Sequence, residues 1–193
     1  MPRFSLVQVC LLCPVLLFSC SDEDTPDDTL VVPDGSIPSQ GVFVTRSEYS
    51  GNLGGLVGAD RLCQSAAESV DLRGTWIAWL STDTVNAYDR VTSGGPWRDL
   101  LGQTVFANRS ALMTIPLRPI RIQENGEMVS FSLENVWTGT ATGGQADGDD
   151  NCNNWASSDI LDWGSRGITD EENWTESSGN SCDAKARLYC FEE

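Results

Sequence analysis

The amino-acid sequence predicts an α+β domain with one early helix and a late sheet of mixed or antiparallel strands. Two observations lead to this prediction. Short runs rich in β-branched and aromatic residues stand near the start of the domain and return towards the C-terminus. Between them, apolar residues recur at the spacing of an amphipathic helix, at Ala59, Leu62, Cys63, Ala66, Ala67 and Val70. This order of strand, helix and later strands is typical of the α+β class.

The first half of the domain contains its most regular patterns. Residues 41–45 predict a first strand, and the helical spacing predicts a helix over 56–70. Asp60 lies near the positive N-terminal end of that helix, where a carboxylate is favourable. Residues 75–81 predict a strongly apolar second strand, and a short helix is expected over 83–91.

The second half is less regular. Periodicity is weak over 93–126, where Pro116 and Pro119 exclude a long helix or a central strand. A strand is predicted at 136–140, followed by a polar Gly/Asp loop over 141–151. Residues 187–191 predict the final strand.

The composition excludes several classes of function. The chain has no histidine and a formal net charge of −16 at pH 7. Without histidine it can build neither a Ser-His-Asp nor a Cys-His hydrolase, and it lacks the commonest ligand of transition metals. Six of the 28 acidic and one of the 12 basic residues precede residue 41, so the domain keeps 22 and 11 and a net charge of −11. Nucleic acid and heparin-like polyanions are therefore poor partners.

The N-terminus resembles the export signal of bacterial lipoproteins. Residues 4–18 are almost wholly apolar, too few to span a membrane and suited to a signal sequence. They end in Leu17-Phe18-Ser19-Cys20, which is similar to a lipobox. This resemblance implies a signal peptide over 1–19, an acylated Cys20 and a place in the bacterial cell envelope, at the outer membrane or cell surface. An ordinary secreted protein is the alternative.

Residues 20–40 form an acidic segment between this signal and the domain at 41–193. It holds six carboxylates and several prolines with no basic residue. Because such a stretch buries too little apolar surface to offset the cost of chain ordering, we expect a disordered tether. Contact with the membrane is then expected through the lipid anchor alone.

Four cysteines remain in the domain: Cys63, Cys152, Cys182 and Cys190. An exported chain meets an oxidising environment, so two disulfides are expected rather than four free thiols. Three pairings are possible, and spacing does not choose among them.

Several segments together resemble the endostatin-like branch of the C-type-lectin-like fold. They are Gly58-Ala59-Asp60-Arg61-Leu62-Cys63, residues 74–81, Val136-Trp137-Thr138-Gly139, Cys152 with Trp155, Cys182, and Leu188-Tyr189-Cys190. Residues 87–91 and 188–192 also resemble a bacterial family of lipoproteins and surface proteins of unknown function. The resemblance covers 42–192 and implies long loops and nested disulfides, Cys63 with Cys190 and Cys152 with Cys182.

The chain departs from these families where their ligands bind. It lacks the Glu-Pro-Asn or Gln-Pro-Asp triplet and the Trp-Asn-Asp motif of calcium-dependent lectins, and it has no counterpart of the zinc histidines of endostatin. The arginine-rich heparin face of endostatin is replaced by an acidic chain. The binding mode of either relative is therefore not carried over.

Tryptophans are the leading candidates for ligand contact. Three of the seven lie on apolar strands and are expected in the core: Trp76, Trp79 and Trp137. The other four occur in polar loops, where an aromatic ring can stack on a sugar or anchor a protein partner, or can instead pin its loop to the core: Trp97, Trp155, Trp163 and Trp174.

Carboxylates suggest two weaker possibilities. Residues 147–153 offer several oxygen ligands for calcium, but they lack the full Asp-x-Asp-x-Asp-Gly spacing and its distal glutamate, so a solvated loop and no metal site is expected. The pairs Asp149/Asp150 and Glu171/Glu172 could serve a glycosidase, yet nothing separates them from surface charge. No catalytic residue and no cofactor is predicted.

These observations favour a non-enzymatic, envelope-anchored binding module that adheres to proteins or matrix at the cell surface. A carbohydrate-binding module that uses the loop tryptophans, with or without calcium, is the alternative. A secreted hydrolase with paired carboxylates is the third possibility. The expected partner is a protein or a glycan ligand at the cell surface, and no oligomeric state is predicted.

Overall fold

The computed structural model describes residues 39–129 and 134–193. The chain divides into two units, and all of the described residues belong to the second, Ile37–Glu193. Its elements confirm the mixed α+β class: β1 (Gln40–Val44), α1 (Gly55–Glu68), β2 (Trp76–Ala78), α2 (Ala87–Arg90), β3 (Trp97–Arg98), β4 (Thr104–Phe106), a 3-10 helix (Arg109–Met113), β5 (Asn135–Trp137), β6 (Trp163–Ile168), β7 (Ser178–Ser181) and β8 (Tyr189–Glu192).

A five-stranded sheet in the order β2-β8-β1-β3-β4 forms the centre of the domain. The last strand, β8, pairs antiparallel with both β1 and β2, so that Cys190 stands opposite Phe43 on one side and Ala78 on the other. β1 continues the sheet in parallel with β3. Because β1 and β8 are apolar on both faces, they occupy interior positions of the sheet and draw the two ends of the domain together.

A second sheet of three antiparallel strands has the order β5-β6-β7. Only β5 coincides with a predicted strand. β6 and β7 are rich in serine and glycine and lack the alternation of apolar residues from which a strand is predicted. They are held by antiparallel pairing with neighbouring strands, which places Trp137 of β5 opposite Arg166 of β6 and Trp163 of β6 opposite Ser181 of β7.

The central sheet separates two hydrophobic clusters because side chains alternate between its faces. α1 packs on one face through small buried residues, Ala59, Cys63 and Ala67, beside Phe43 of β1. The small side chains let the helix approach the sheet closely. The opposite face is aromatic and contains Trp79, Trp97, Phe106, Trp174, Tyr189 and Phe191.

Two disulfides connect these parts, with the pairing that the resemblance implies. Cys63 of α1 is bonded to Cys190 of β8, across 127 residues of chain. Cys152 is bonded to Cys182 across 30 residues, in the part of the domain that holds the second sheet. All four sulfur-bearing residues are fully buried.

Within the part of the chain that the structure describes, none of the helices has both the length and the apolar character needed to cross a membrane.

Candidate functional site

The structure separates the four loop tryptophans into two groups. Trp97, Trp155 and Trp174 are buried, whereas the side chain of Trp163 is 54% exposed. All seven tryptophans of the chain lie within the described residues, and Trp163 is the one that remains open to solvent. The expectation of ligand contact is therefore corrected for the three buried residues, whose rings offer no face to a surface ligand.

The buried tryptophans pin loops to the core. Each indole N–H donates to a backbone carbonyl: Trp97 to Glu192 at 3.0 Å, Trp155 to Ser81 at 2.7 Å, and Trp174 to Thr114 at 3.1 Å. A buried N–H needs such a partner because leaving it unpaired is costly. Polar neighbours in the sequence therefore did not indicate that these rings are exposed, and Trp97 lies in β3 rather than in a loop.

Trp163 lies at the start of β6, and its ring rests on the neighbouring strand. It stands opposite Ser181 of β7, next to Gly179. A Cβ atom placed on Gly179 would be 3.3 Å from Cε3 of Trp163, so glycine lets the indole lie against the β7 backbone. The ring consequently has a supported side and an exposed side.

Two more exposed apolar residues immediately precede Trp163. Ile160 is 64% exposed and Leu161 82% exposed, and they occupy the two central positions of a tight turn. The turn closes through a hydrogen bond from the Asp162 N–H to the Asp159 carbonyl at 3.2 Å, and the Asp159 carboxylate accepts the Leu161 N–H at 2.9 Å. We call Ile160, Leu161 and Trp163 the apolar turn.

The disulfide Cys152–Cys182 holds the apolar turn in place. The N–H of Cys182 donates to the carbonyl of Asp162 at 2.9 Å, which ties the end of the turn to the disulfide. Two residues after Asp162, a Cβ atom at Gly164 would lie 2.7 Å from the Cys152 sulfur, so the disulfide packs directly against β6. The turn is thus attached to a covalently closed part of the domain.

A left-handed turn precedes this region. Residues Cys152–Trp155 all have positive φ angles, 53°, 55°, 55° and 63°. Each such residue costs roughly 1 kcal/mol in an L-amino acid, and asparagine tolerates the conformation best. Asn151 stabilises the turn, since its side-chain oxygen accepts the Asn154 N–H at 2.7 Å.

Asp83 connects the left-handed turn to the loop that follows β2. Its carboxylate accepts hydrogen bonds from the side-chain amides of Asn151 and Asn154, the second at 2.9 Å. These two bonds, that from Asn151 first, lower the pKa of Asp83 below its ordinary value. Asp83 is therefore charged at neutral pH and ties two loops beside the disulfide.

The surroundings of the apolar turn in the sequence are acidic. Residues 147–163 include five aspartates, Asp147, Asp149, Asp150, Asp159 and Asp162, and no lysine or arginine. Asp149 and Asp150 are exposed, as are Glu171 and Glu172. Over residues 39–129 and 134–193, no three His, Cys, Asp or Glu side chains converge as a metal site would require.

Sequence patterns mark Trp163 as a candidate for ligand contact but do not mark Ile160 or Leu161. The pattern that could have found them is two adjacent large apolar residues inside an otherwise polar stretch, which neither a strand nor a helix explains. Cys20, the signal segment 1–19 and nearly all of the tether lie outside the described residues.

Fold and disulfides define the class of this protein as a disulfide-linked α+β domain that exposes an aromatic and aliphatic turn. In comparisons with known proteins, no family model and no curated protein matches the chain.

Proposed function

We propose that this chain is a C-type-lectin-like domain of the endostatin-like branch that acts as a non-enzymatic, envelope-anchored adhesion module, with the apolar turn as its contact surface for a protein partner. The observation that carries the proposal is the exposure of Ile160, Leu161 and Trp163 within four residues on a disulfide-held turn. In this proposal, an acylated Cys20 and the acidic tether hold the domain at the bacterial cell surface.

Physical chemistry favours a protein as the partner. A few buried aromatic and aliphatic side chains carry most of the binding energy of protein interfaces, and tryptophan is enriched among them. Such side chains bind more tightly when they are held rigidly before association, because less conformational entropy is then lost. The turn hydrogen bonds at Asp159 and the nearby disulfide provide that rigidity.

The acidic residues near the apolar turn in the sequence predict the charge of the partner surface. Residues 147–163 hold five aspartates and no basic residue, so a partner with an apolar pocket bordered by lysine or arginine would complement the charge of this segment. Association should be faster at low salt, because attraction between exposed charges is screened as ionic strength rises.

The test is biolayer interferometry of the full chain against purified secreted and matrix proteins, including basic and acidic members. We expect binding to basic members, weakened about tenfold or more by Leu161→Ser and by Trp163→Ala. Leu117→Ser is the matched control, because Leu117 is similarly exposed on a different loop. Equal weakening by all three variants, or by none, would refute the contact surface.

A carbohydrate-binding module is the second candidate, favoured by the geometry of Trp163. An indole with one side against β7 and the other in solvent is suited to stacking on a sugar ring. Glycan-array binding that is lost on Trp163→Ala but kept in Leu161→Ser would select this candidate, since stacking needs the ring and not the neighbouring leucine.

A further inference from the structure

A cleft of about 150 Å³ lies outside the apolar turn, among the residues that follow β3 and the 3-10 helix. It is lined by Asp99, Gln103, Arg118, Pro119, Arg121 and Met128. None of these residues belongs to the apolar turn, and no sequence pattern marks them as candidates for ligand contact. The volume is below the usual 300–1,000 Å³ of sites for drug-sized molecules, so a ligand of the cleft must be small.

Asp99 contributes an oriented carboxylate to the cleft. The residue is only 7% exposed, and its Oδ1 accepts the backbone N–H groups of Leu101 and Gln103 at 3.0 and 2.9 Å. Its Oδ2 bonds to no described residue and is not a buried, unpaired atom, so it is accessible to solvent on a residue that lines the cleft. Asp99 can therefore accept a hydrogen bond from a ligand.

Two guanidinium groups line the same cleft. Arg121 is positioned by a hydrogen bond from its Nε to the Thr169 carbonyl at 2.8 Å, which leaves its terminal nitrogens available. Arg118 is exposed and forms no hydrogen bond or ion pair with the described residues. Neither arginine is paired with Asp99, although the chain has only 12 basic residues and a net charge of −16. The cleft is a local positive site on an acidic domain.

We propose that this cleft binds a small organic acid whose carboxylate is held by Arg118 and Arg121. A hydroxyl or ammonium group next to that carboxylate donates to Oδ2 of Asp99, and Met128 and Pro119 cover the carbon skeleton. Charge-assisted hydrogen bonds between guanidinium and carboxylate are among the strongest in proteins. Asp99 disfavours sulfate, which has no proton to donate, and it repels the doubly charged form of phosphate.

A carboxylate with a neighbouring hydrogen-bond donor is found in sugar acids, in hydroxy acids and in amino acids. The compounds used as probes distinguish these classes of ligand. The full chain is titrated calorimetrically with gluconate, alanine, acetate, glucose and inorganic phosphate. We expect gluconate or alanine to bind about tenfold more tightly than acetate, which lacks the donor, and than glucose, which lacks the carboxylate. Tighter binding of phosphate, or no binding of any acid at about 10 mM, would overturn the proposal.

Substitutions test which side chains of the cleft contact the bound acid. Arg118→Gln should weaken binding of the preferred acid about tenfold, and Asp99→Asn should reduce the preference for that acid over acetate. Arg61→Gln is the control, because Arg61 is an exposed arginine of α1 outside the cleft. Thermal melting verifies that Asp99→Asn still folds. Arg118→Gln tests the site independently of folding, because Arg118 is exposed. Unchanged affinity in Arg118→Gln would refute the site. Trp163→Ala should leave acid binding intact, which separates this site from the adhesion surface.

Discussion

Arg90 of α2 donates hydrogen bonds from Nη2 to both carboxylate oxygens of Asp60 on α1, at 2.6 and 2.7 Å. The same two residues close the outer edge of β2, because Asp60 accepts the N–H of Ala78 at 2.9 Å and Arg90 donates to the carbonyl of Ala78. Gln64 accepts the N–H of Trp76 in the same way. Side chains of the helices thus occupy a strand edge that would otherwise be open to pairing with another chain.

Breaking the Asp60–Arg90 pair should destabilise the domain. Asp60→Asn and Arg90→Met are each expected to lower the free energy of unfolding by about 2 kcal/mol, since each leaves a mostly buried charged or polar partner unsatisfied. The double variant should cost less than the sum of the two, which urea denaturation measures. Glu171→Gln, at an exposed carboxylate, is the control and should stay within about 0.5 kcal/mol. Full additivity would show that the pair is not coupled.

The two disulfides should differ in their contribution to stability. Cys63→Ala with Cys190→Ala opens a loop of 127 residues and Cys152→Ala with Cys182→Ala one of 30. The chain-entropy relation assigns roughly 4.7 kcal/mol to a loop of about 100 residues and less to a shorter one. Urea denaturation should therefore rank the first double variant as less stable. The opposite order would mean that native packing, rather than loop length, sets the effect.

Trp155 and Trp163 should respond oppositely to truncation. Trp155→Ala removes a buried indole and its hydrogen bond to Ser81, so we expect a loss of about 3–5 kcal/mol in unfolding free energy. Trp163→Ala should cost about 1 kcal/mol or less, because half of that side chain is already in solvent. Thermal melting of both variants measures the difference, and similar losses would contradict a surface role for Trp163.

Alkaline pH should unfold the domain through Tyr189. Burial raises the pKa of this phenol well above its ordinary value, with a smaller contribution from the nearby Asp170. The raised pKa means that the stability is fully present below pH 10, the value for an unfolded tyrosine, and is lost as pH rises through the folded pKa. Absorbance at the tyrosinate band should show a step that coincides with unfolding. Tyr189→Phe should remove that step, and its persistence would assign it to another residue.

Lipidation of Cys20 can be tested by fractionation. Cys20→Ala should move the protein from the membrane to the soluble fraction, because two or more acyl chains are needed for stable anchoring. Cys13→Ala is the matched control, since it changes a cysteine within the same apolar run and should leave the protein in the membrane. Unchanged fractionation of Cys20→Ala would contradict the lipoprotein hypothesis.

Elements with strong local patterns were predictable from the amino-acid sequence alone. The helix expected over 56–70 is Gly55–Glu68, and the strands expected near residues 41, 75, 136 and 187 are present, although shifted or shortened. Helical spacing and apolar runs are properties of neighbouring residues, so they are visible in one segment alone. Composition likewise excluded histidine-based catalysis without any structure.

The remaining features arise from the three-dimensional fold, because they depend on residues that are distant in the chain. β6 and β7 owe their pairing to the register with β5, not to their own serine- and glycine-rich sequences. Asp60, predicted to interact with the helix N-terminus, instead pairs with Arg90, thirty residues away. Which tryptophan rings face inward, and which arginines share a cleft with Asp99, follow from how loops fold onto the core. Similar local sequences therefore leave Trp155 buried and Trp163 exposed.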